Sequence, residues 1–166
     1  MLSYAQHVRG EEQIYLINEV KIHRAEPDSY MDILLLADES EEMIQTYMHE
    51  GDFHIITVNG RNAGGCLCTY PDSSTIEIKN IAVKEAFSRQ GIGRAAVKKI
   101  EEFYRKEGRT AVIAGTSNSS IENLSFYQKA GFRFHCIKKD FFLSYPEPFY
   151  ENGIQGIDMI VFHKKL

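Results

Sequence analysis

The stretch 75–93, Thr-Ile-Glu-Ile-Lys-Asn-Ile-Ala-Val-Lys-Glu-Ala-Phe-Ser-Arg-Gln-Gly-Ile-Gly, constrains the fold more than any other part of the chain. Its first half, 75–83, is rich in β-branched residues and has the length of a strand. A short polar loop follows and closes on Gly91-Ile92-Gly93. A helical pattern then opens at once, with Ile92, Ala96, Ile100 and Phe103 or Tyr104 falling on one face. Strand, glycine loop and helix N-terminus together form an anion site, because the glycines admit a close approach and the first turn presents free N–H groups. A diphosphate suits such a site. The common phosphate fingerprints are not met: there is no Gly-x-x-x-x-Gly-Lys-Ser/Thr, and Gly-x-Gly-x-x-Gly fails at Ala96. The preceding strand also carries charges, unlike the buried first strand of a dinucleotide fold.

The loop Ser88-Arg89-Gln90-Gly91-Ile92-Gly93, after a strand ending in Val83, resembles the acyl-CoA-binding motif of the GNAT superfamily of N-acetyltransferases, which reads Gln/Arg-x-x-Gly-x-Gly/Ala. Ser88 departs from that pattern at its first position. A second block, Phe126-Tyr127-Gln128-Lys129-Ala130-Gly131-Phe132, is similar to the family's Phe-Tyr-x-Lys-x-Gly-Phe. The resemblance covers roughly 19–138. It implies an α/β (α+β) fold with a mixed, mostly antiparallel central sheet of about seven strands flanked by helices, and acetyl-CoA as cosubstrate.

The 166 residues are enough for one domain with a sizeable core. We expect a single acyltransferase domain over 19–166 and an extension over 1–18, where 11–17 reads as a short helix or an arm. Net charge is −4, which argues against generic binding to nucleic acid or to an anionic membrane. No apolar run approaches the length of a spanning helix, and the N-terminus lacks the shape of a signal peptide. Cys66, Cys68 and Cys136 sit in apolar, strand-like contexts and read as reduced, buried thiols of a cytoplasmic protein. The histidines are scattered, and no metal site is expected.

Along the chain, 20–24 alternates as a first strand, Pro27-Asp28-Ser29 starts a helix over 30–36, and Ser40 caps a second one reaching about Glu50. Strands over 53–58 and 64–70 are joined by the turn Asn59-Gly60-Arg61-Asn62. The helix after the glycine loop runs to about Lys106 and stops at Gly108. A short buried strand of parallel type covers 111–115, Asn118 or Ser119 begins the next helix, and 132–137 and 157–162 are the last strands.

Glu77 lies on the central strand among Ile76, Ile78 and Ile81, where partial desolvation raises a carboxylate toward a useful base. The resemblance gives Glu77 the role of general base; the plain alternative is an ion pair with Lys79 or a cross-strand cation. By the same resemblance Tyr127 protonates the departing CoA thiolate, against a core aromatic with its hydroxyl tied to the backbone. Ile81, Ala82 and Val83 offer backbone groups, and the resemblance implies that pantetheine pairs with them as a strand does. Arg89, Gln90 and Arg94 flank Gly91 and Gly93 as cofactor-binding candidates; Arg89 and Arg94 either are simply solvated or also meet phosphate oxygens. Asn118 is either a helix cap or a contact to the pantetheine arm.

The 140–158 connection holds Phe141, Phe142, Tyr145, Phe149, Tyr150, Glu147 and Glu151. A connection of that length is usually functional. Its carboxylates and aromatics suit a cationic amine, small-molecule or peptide; a homodimer contact is the alternative. The reading is therefore an N-acetyltransferase working by direct attack on acetyl-CoA in a ternary complex. Its rival is a non-catalytic acyl-CoA-binding module that needs neither Glu77 nor Tyr127.

Overall fold

The computed structural model describes residues 19–166; the expectation for 1–18 lies outside the described residues. Nine strands and four helices follow the order β1 (Val20–Ala25), α1 (Met31–Leu34), α2 (Glu41–Tyr47), β2 (Gly51–Val58), β3 (Arg61–Thr69), β4 (Thr75–Val83), α3 (Ile92–Lys106), β5 (Ala111–Ser117), α4 (Ile121–Lys129), β6 (Arg133–Lys138), β7 (Tyr150–Glu151), β8 (Ile154–Gln155) and β9 (Met159–Lys165). Seven strands form one sheet in the order β1-β2-β3-β4-β5-β9-β6, and β7-β8 form a separate small hairpin. Only β4 and β5 pair in parallel; the other neighbours are antiparallel.

The first half of the sheet is a meander because its turns are local. Asn59 and Gly60, with φ of 50° and 77°, make a two-residue turn between β2 and β3, tighter than the four residues expected. Asp72 accepts hydrogen bonds from the Ser74 and Thr75 N–H groups and sets the turn into β4. Those bonds, with Ser74 first, hold its carboxyl down to about 2.

α3 lies across one face of the sheet. Its Ile92, Ala96, Val97, Ile100 and Tyr104 are buried against Ile76, Ile78, Val112, Ala114 and Phe162. Each such aliphatic side chain contributes about 1.5–3 kcal/mol on full burial. On the other face α1 and α2 bury Ile33, Leu34, Ile44 and Tyr47 against Phe53, Leu67 and Ala82. Ser40 caps α2 by accepting from the Met43 N–H, as its sequence signals.

β6 is one of the two edge strands, and all six of its residues are exposed. Cys136 is therefore exposed rather than buried, a correction to the expectation for it, because neither face of β6 is covered. Cys66 and Cys68 are buried as expected. Among the described residues no helix is long and apolar enough to cross a membrane.

Candidate active site

The site begins with a break in the sheet. In β4 the alternation Ile76, Glu77, Ile78 is interrupted by two adjacent polar residues, Lys79 and Asn80. The strand bulges there: Cys68 opposes Ile78 and Leu67 opposes Asn80, leaving Lys79 as the extra residue. The bulge inverts which residues face which side. Ile76 and Ile78 pack toward α3 before it, whereas Ala82 packs toward α1 and α2 after it.

The bulge also coincides with the end of the parallel pairing. β4 and β5 pair from Thr75 opposite Ala111 to Ile78 opposite Ala114 and then separate, although β4 continues to Val83 and β5 to Ser117. A cleft of about 310 Å³ opens between them. Lys79, Asn80, Ile81 and Val83 line one side, and Gly115, Thr116 and Ser117 the other. Because the sheet itself is parted, side chains from both of its faces meet there: Asn123, Phe126 and Tyr127 from α4, Asp38 and Glu39 from the α1–α2 loop, and Phe142, Tyr145, Phe149 and Glu151 from the 140–158 connection.

At one end of the cleft stands the start of α3. Gly91 is its N-cap with φ of 77°, a conformation that costs other residues about 1–2 kcal/mol. The first turn's backbone bonding begins with the Ala95 N–H to the Gly91 carbonyl, so the N–H groups before it have no partner within the helix. Gly93 lines the cleft, and a Cβ there would sit 3.0 Å from the Phe126 ring. Arg89, with φ of 57°, and Gln90, whose amide donates to the Ala86 carbonyl at 3.2 Å, shape the loop before it. Arg94 lines a neighbouring groove with Gly91, Lys98, Lys129 and Lys164, a cationic surface continuous with the helix start. Within it Lys164 is bound to Glu101 at 2.8 Å.

Tyr127 is 5 % exposed and packs against Phe132 and Phe162, yet it lines the cleft and its hydroxyl has no hydrogen-bond partner among the described residues. Burial, reinforced by Cys66, Cys68 and Glu77, pushes its hydroxyl above the ordinary phenol range and keeps it protonated. Glu77 is not among the residues lining the cleft; it lies one turn of the pleat before the parting, 3.9 Å from the Lys79 ammonium. Ile81 and Val83 border the cleft along the part of β4 that has no partner on the β5 side, and Ala82 between them is buried under α1 and α2.

Of the two roles expected for Asn118, the helix cap is not taken. The N-cap of α4 is Ser120. The Asn118 amide donates to the Gln155 carbonyl (3.0 Å) and accepts from the Ile157 and Asp158 N–H groups (2.8 and 2.9 Å). It clamps the end of the connection to the end of β5. Of the two connection carboxylates singled out, Glu151 lines the cleft and accepts from Ser119 and Ser120, while Glu147 is exposed and away from it. Asp38 and Asn80 were not singled out by sequence. The adjacent polar pair Lys79-Asn80 was a local signal of the bulge, but Asp38 comes from a loop with no pattern of its own.

A parted parallel strand pair leading to a glycine-opened helix offers an unpaired strand edge and an anion site in one cleft. A profile described as the acetyltransferase (GNAT) family matches residues 15–132. An uncharacterized N-acetyltransferase of Bacillus subtilis, YvbK, is 41% identical over 134 residues, spanning 80% of this chain and 86% of the relative. The crystal structure of a GNAT family acetyltransferase from Elizabethkingia anophelis with acetyl-CoA bound has a TM-score of 0.82 and 39% identity, covering 89% of this chain and 98% of that one. A Bacillus subtilis acetyltransferase in complex with CoA has a TM-score of 0.80 and 37% identity, covering 90% and 99%. The chain belongs to the GNAT acetyltransferase family and is an acyltransferase, which sets aside the non-catalytic binding module.

Proposed function

We propose that the protein transfers an acetyl group from acetyl-CoA to a primary amine by direct attack in a ternary complex. The observation that carries this reading is the continuity of the unpaired edge of β4 with the free N–H groups at the start of α3. An extended pantetheine arm finds backbone partners at Ile81, Ala82 and Val83, as an added strand would. Its diphosphate finds the turn at Gly91 and Gly93, with Arg89, Gln90 and Arg94 beside it. Any other ligand would have to match both an amide-spaced strand edge and an anion site.

In the transfer the amine nitrogen gives up a proton and its lone pair forms the new C–N bond as the C–S bond breaks. Tyr127, buried, protonated and with its hydroxyl unbound, supplies the proton to the departing sulfur. A backbone donor near Val83 holds the oxygen that turns anionic. Glu77 takes the amine proton through water, since it stands just outside the cleft. The cysteines are not needed as nucleophiles: burial pushes the Cys68 thiol up, opposite to what activates one.

Native mass spectrometry of the purified protein, followed by thiol release from acetyl-CoA over a panel of amines, tests the reading. Retained CoA and amine-dependent thiol release are expected. Failure to bind acetyl-CoA in calorimetry would end it.

A further inference from the structure

Asn80, the residue after the bulge, is 5 % exposed and lines the cleft. Its amide nitrogen donates to the Leu34 carbonyl at 2.9 Å and to the Tyr47 hydroxyl at 3.1 Å. Tyr47 donates onward to Asp38 Oδ2 at 3.0 Å. That chain fixes the amide's orientation, because Tyr47 has given its only proton to Asp38 and can only accept from Asn80. Both N–H groups of Asn80 are thus used, and Oδ1 remains an acceptor. It is a fully buried side-chain oxygen without a partner among the described residues. A bare acceptor of this kind costs about 1–3 kcal/mol, and in a cleft it marks where a ligand donor belongs.

Asp38 lines the same cleft. Three donors hold its carboxylate: the Ser40 N–H (3.2 Å), the Tyr47 hydroxyl (3.0 Å) and the Tyr145 hydroxyl (3.1 Å). A carboxylate accepts about four, so one position stays open. Glu39 and Glu151 also border the cleft, against the single ammonium of Lys79, which is already engaged with Glu77 at 3.9 Å and with the Tyr47 ring at 5.5 Å. Facing these acceptors are Phe142, Tyr145 and Phe149 from the connection. The polar lining from the α1–α2 loop and the connection is therefore rich in acceptors, and Phe142, Tyr145 and Phe149 stand with Leu36 and Met159 as its apolar wall.

We propose that Asp38 and the Asn80 carbonyl oxygen select the acceptor as an aliphatic primary ammonium carried on an apolar or aromatic body, an inference that rests on the acetyl-transfer reading above. An ammonium has three donors and no acceptor, which complements Asn80 Oδ1 and the open position of Asp38. The aromatic side chains take the body and add attraction to the cation. The nitrogen arrives charged and gives one proton to the base; the freed lone pair attacks, and the second proton that nitrogen loses as the amide forms offsets the one Tyr127 gives to the departing thiolate. Tyr47 and Tyr145 act as positioning residues, since they hold Asp38 rather than the acceptor.

The test compares 2-phenylethylamine with aniline, which is uncharged near neutral pH, by thiol release in the wild type, Asp38→Asn and Tyr145→Phe. Acetyl-CoA affinity is measured separately by calorimetry. The wild type should use 2-phenylethylamine well and aniline poorly. Asp38→Asn should raise the KM for 2-phenylethylamine roughly 10–100-fold, and Tyr145→Phe by less, with the affinity for acetyl-CoA unchanged in both. Should Asp38→Asn not fold, the wild-type comparison and Tyr145→Phe decide. Equal use of aniline, an unchanged KM in Asp38→Asn, or no turnover of 2-phenylethylamine by a protein that binds acetyl-CoA would each overturn the selection while leaving acetyl transfer standing. Loss of acetyl-CoA binding in the wild type would instead remove the reading beneath it.

Discussion

His54 and Tyr127 are both buried polar rings, and their partners separate structure from chemistry. His54 is 1 % exposed and bonded to the Tyr104 hydroxyl at 3.0 Å, within a cluster that includes Tyr70, Asp52 and Arg24. Burial, with Arg24 adding to it against the pull of Asp52, lowers its pKa to about 4 from an ordinary 6.5. Between those values the unfolded chain binds a proton that the folded one refuses, so stability falls as pH drops through this window. The loss approaches ~3 kcal/mol by the lower end, at 1.36 kcal/mol per pKa unit. Urea unfolding at neutral and at mildly acidic pH should show it, and His54→Gln should flatten the difference; an equal acid loss in that variant would remove His54 as its source. Tyr127 has no such partner, so Tyr127→Phe deletes a hydroxyl that supports nothing. Its stability and acetyl-CoA affinity should stay close to wild type while turnover drops roughly ten- to a thousand-fold. Full turnover would end its part as acid. Glu77→Gln should lower the rate on the order of 10²–10⁴, less at alkaline pH where the amine is already neutral. A pH–rate profile identical to wild type would place the base elsewhere.

The elements most legible in the sequence are those whose signals are local. β4 occupies Thr75–Val83 and α3 occupies Ile92–Lys106 as the β-branched run and the helical spacing of Ile92, Ala96 and Ile100 require. The Ser40 cap and the Asn59-Gly60 turn are equally local. What was not legible depends on distant partners. β5 runs on to Ser117 because β9 pairs with it as far as Met159, and the exposure of Cys136 depends on β6 being last in the strand order. The 140–158 connection is not a bare loop; its 3₁₀ turn over Phe141–Ser144 packs on β5 and β9, and its hairpin of β7 and β8 is tied to Asn118, Ser119 and Ser120. The element on which the proposed binding of acetyl-CoA depends most is the start of α3. Gly91→Val imposes left-handed strain of about 1–2 kcal/mol and puts bulk beside the free N–H groups. Acetyl-CoA affinity should fall at least about tenfold, a loss of ~1.4 kcal/mol. Unchanged affinity in a folded Gly91→Val variant would move the diphosphate away from this turn.

At the scale of the whole molecule the cleft has two halves of different origin. The half toward α3 is built by β4, β5 and α4, which neighbour one another in the chain. The other half is brought from far away, by the α1–α2 loop and by the 140–158 connection, whose Tyr145 reaches Asp38 across 107 positions. Asn118 is the joint between them, tying the end of β5 to Gln155, Ile157 and Asp158. Asn118→Ala would leave the Ile157 and Asp158 N–H groups without their acceptor, a cost of about 1–3 kcal/mol that lowers the Tm. The connection would then be held by Glu151 and Asn152 at the start of α4 and by Tyr145 at Asp38. With the amine against the connection and acetyl-CoA against β4 and α3, as proposed, the variant should raise the KM for the amine several-fold and leave the affinity for acetyl-CoA where it was. The opposite split, weaker acetyl-CoA binding with an unaltered KM for the amine, would make Asn118 a contact of the pantetheine arm and leave the clamp without a part in acceptor binding.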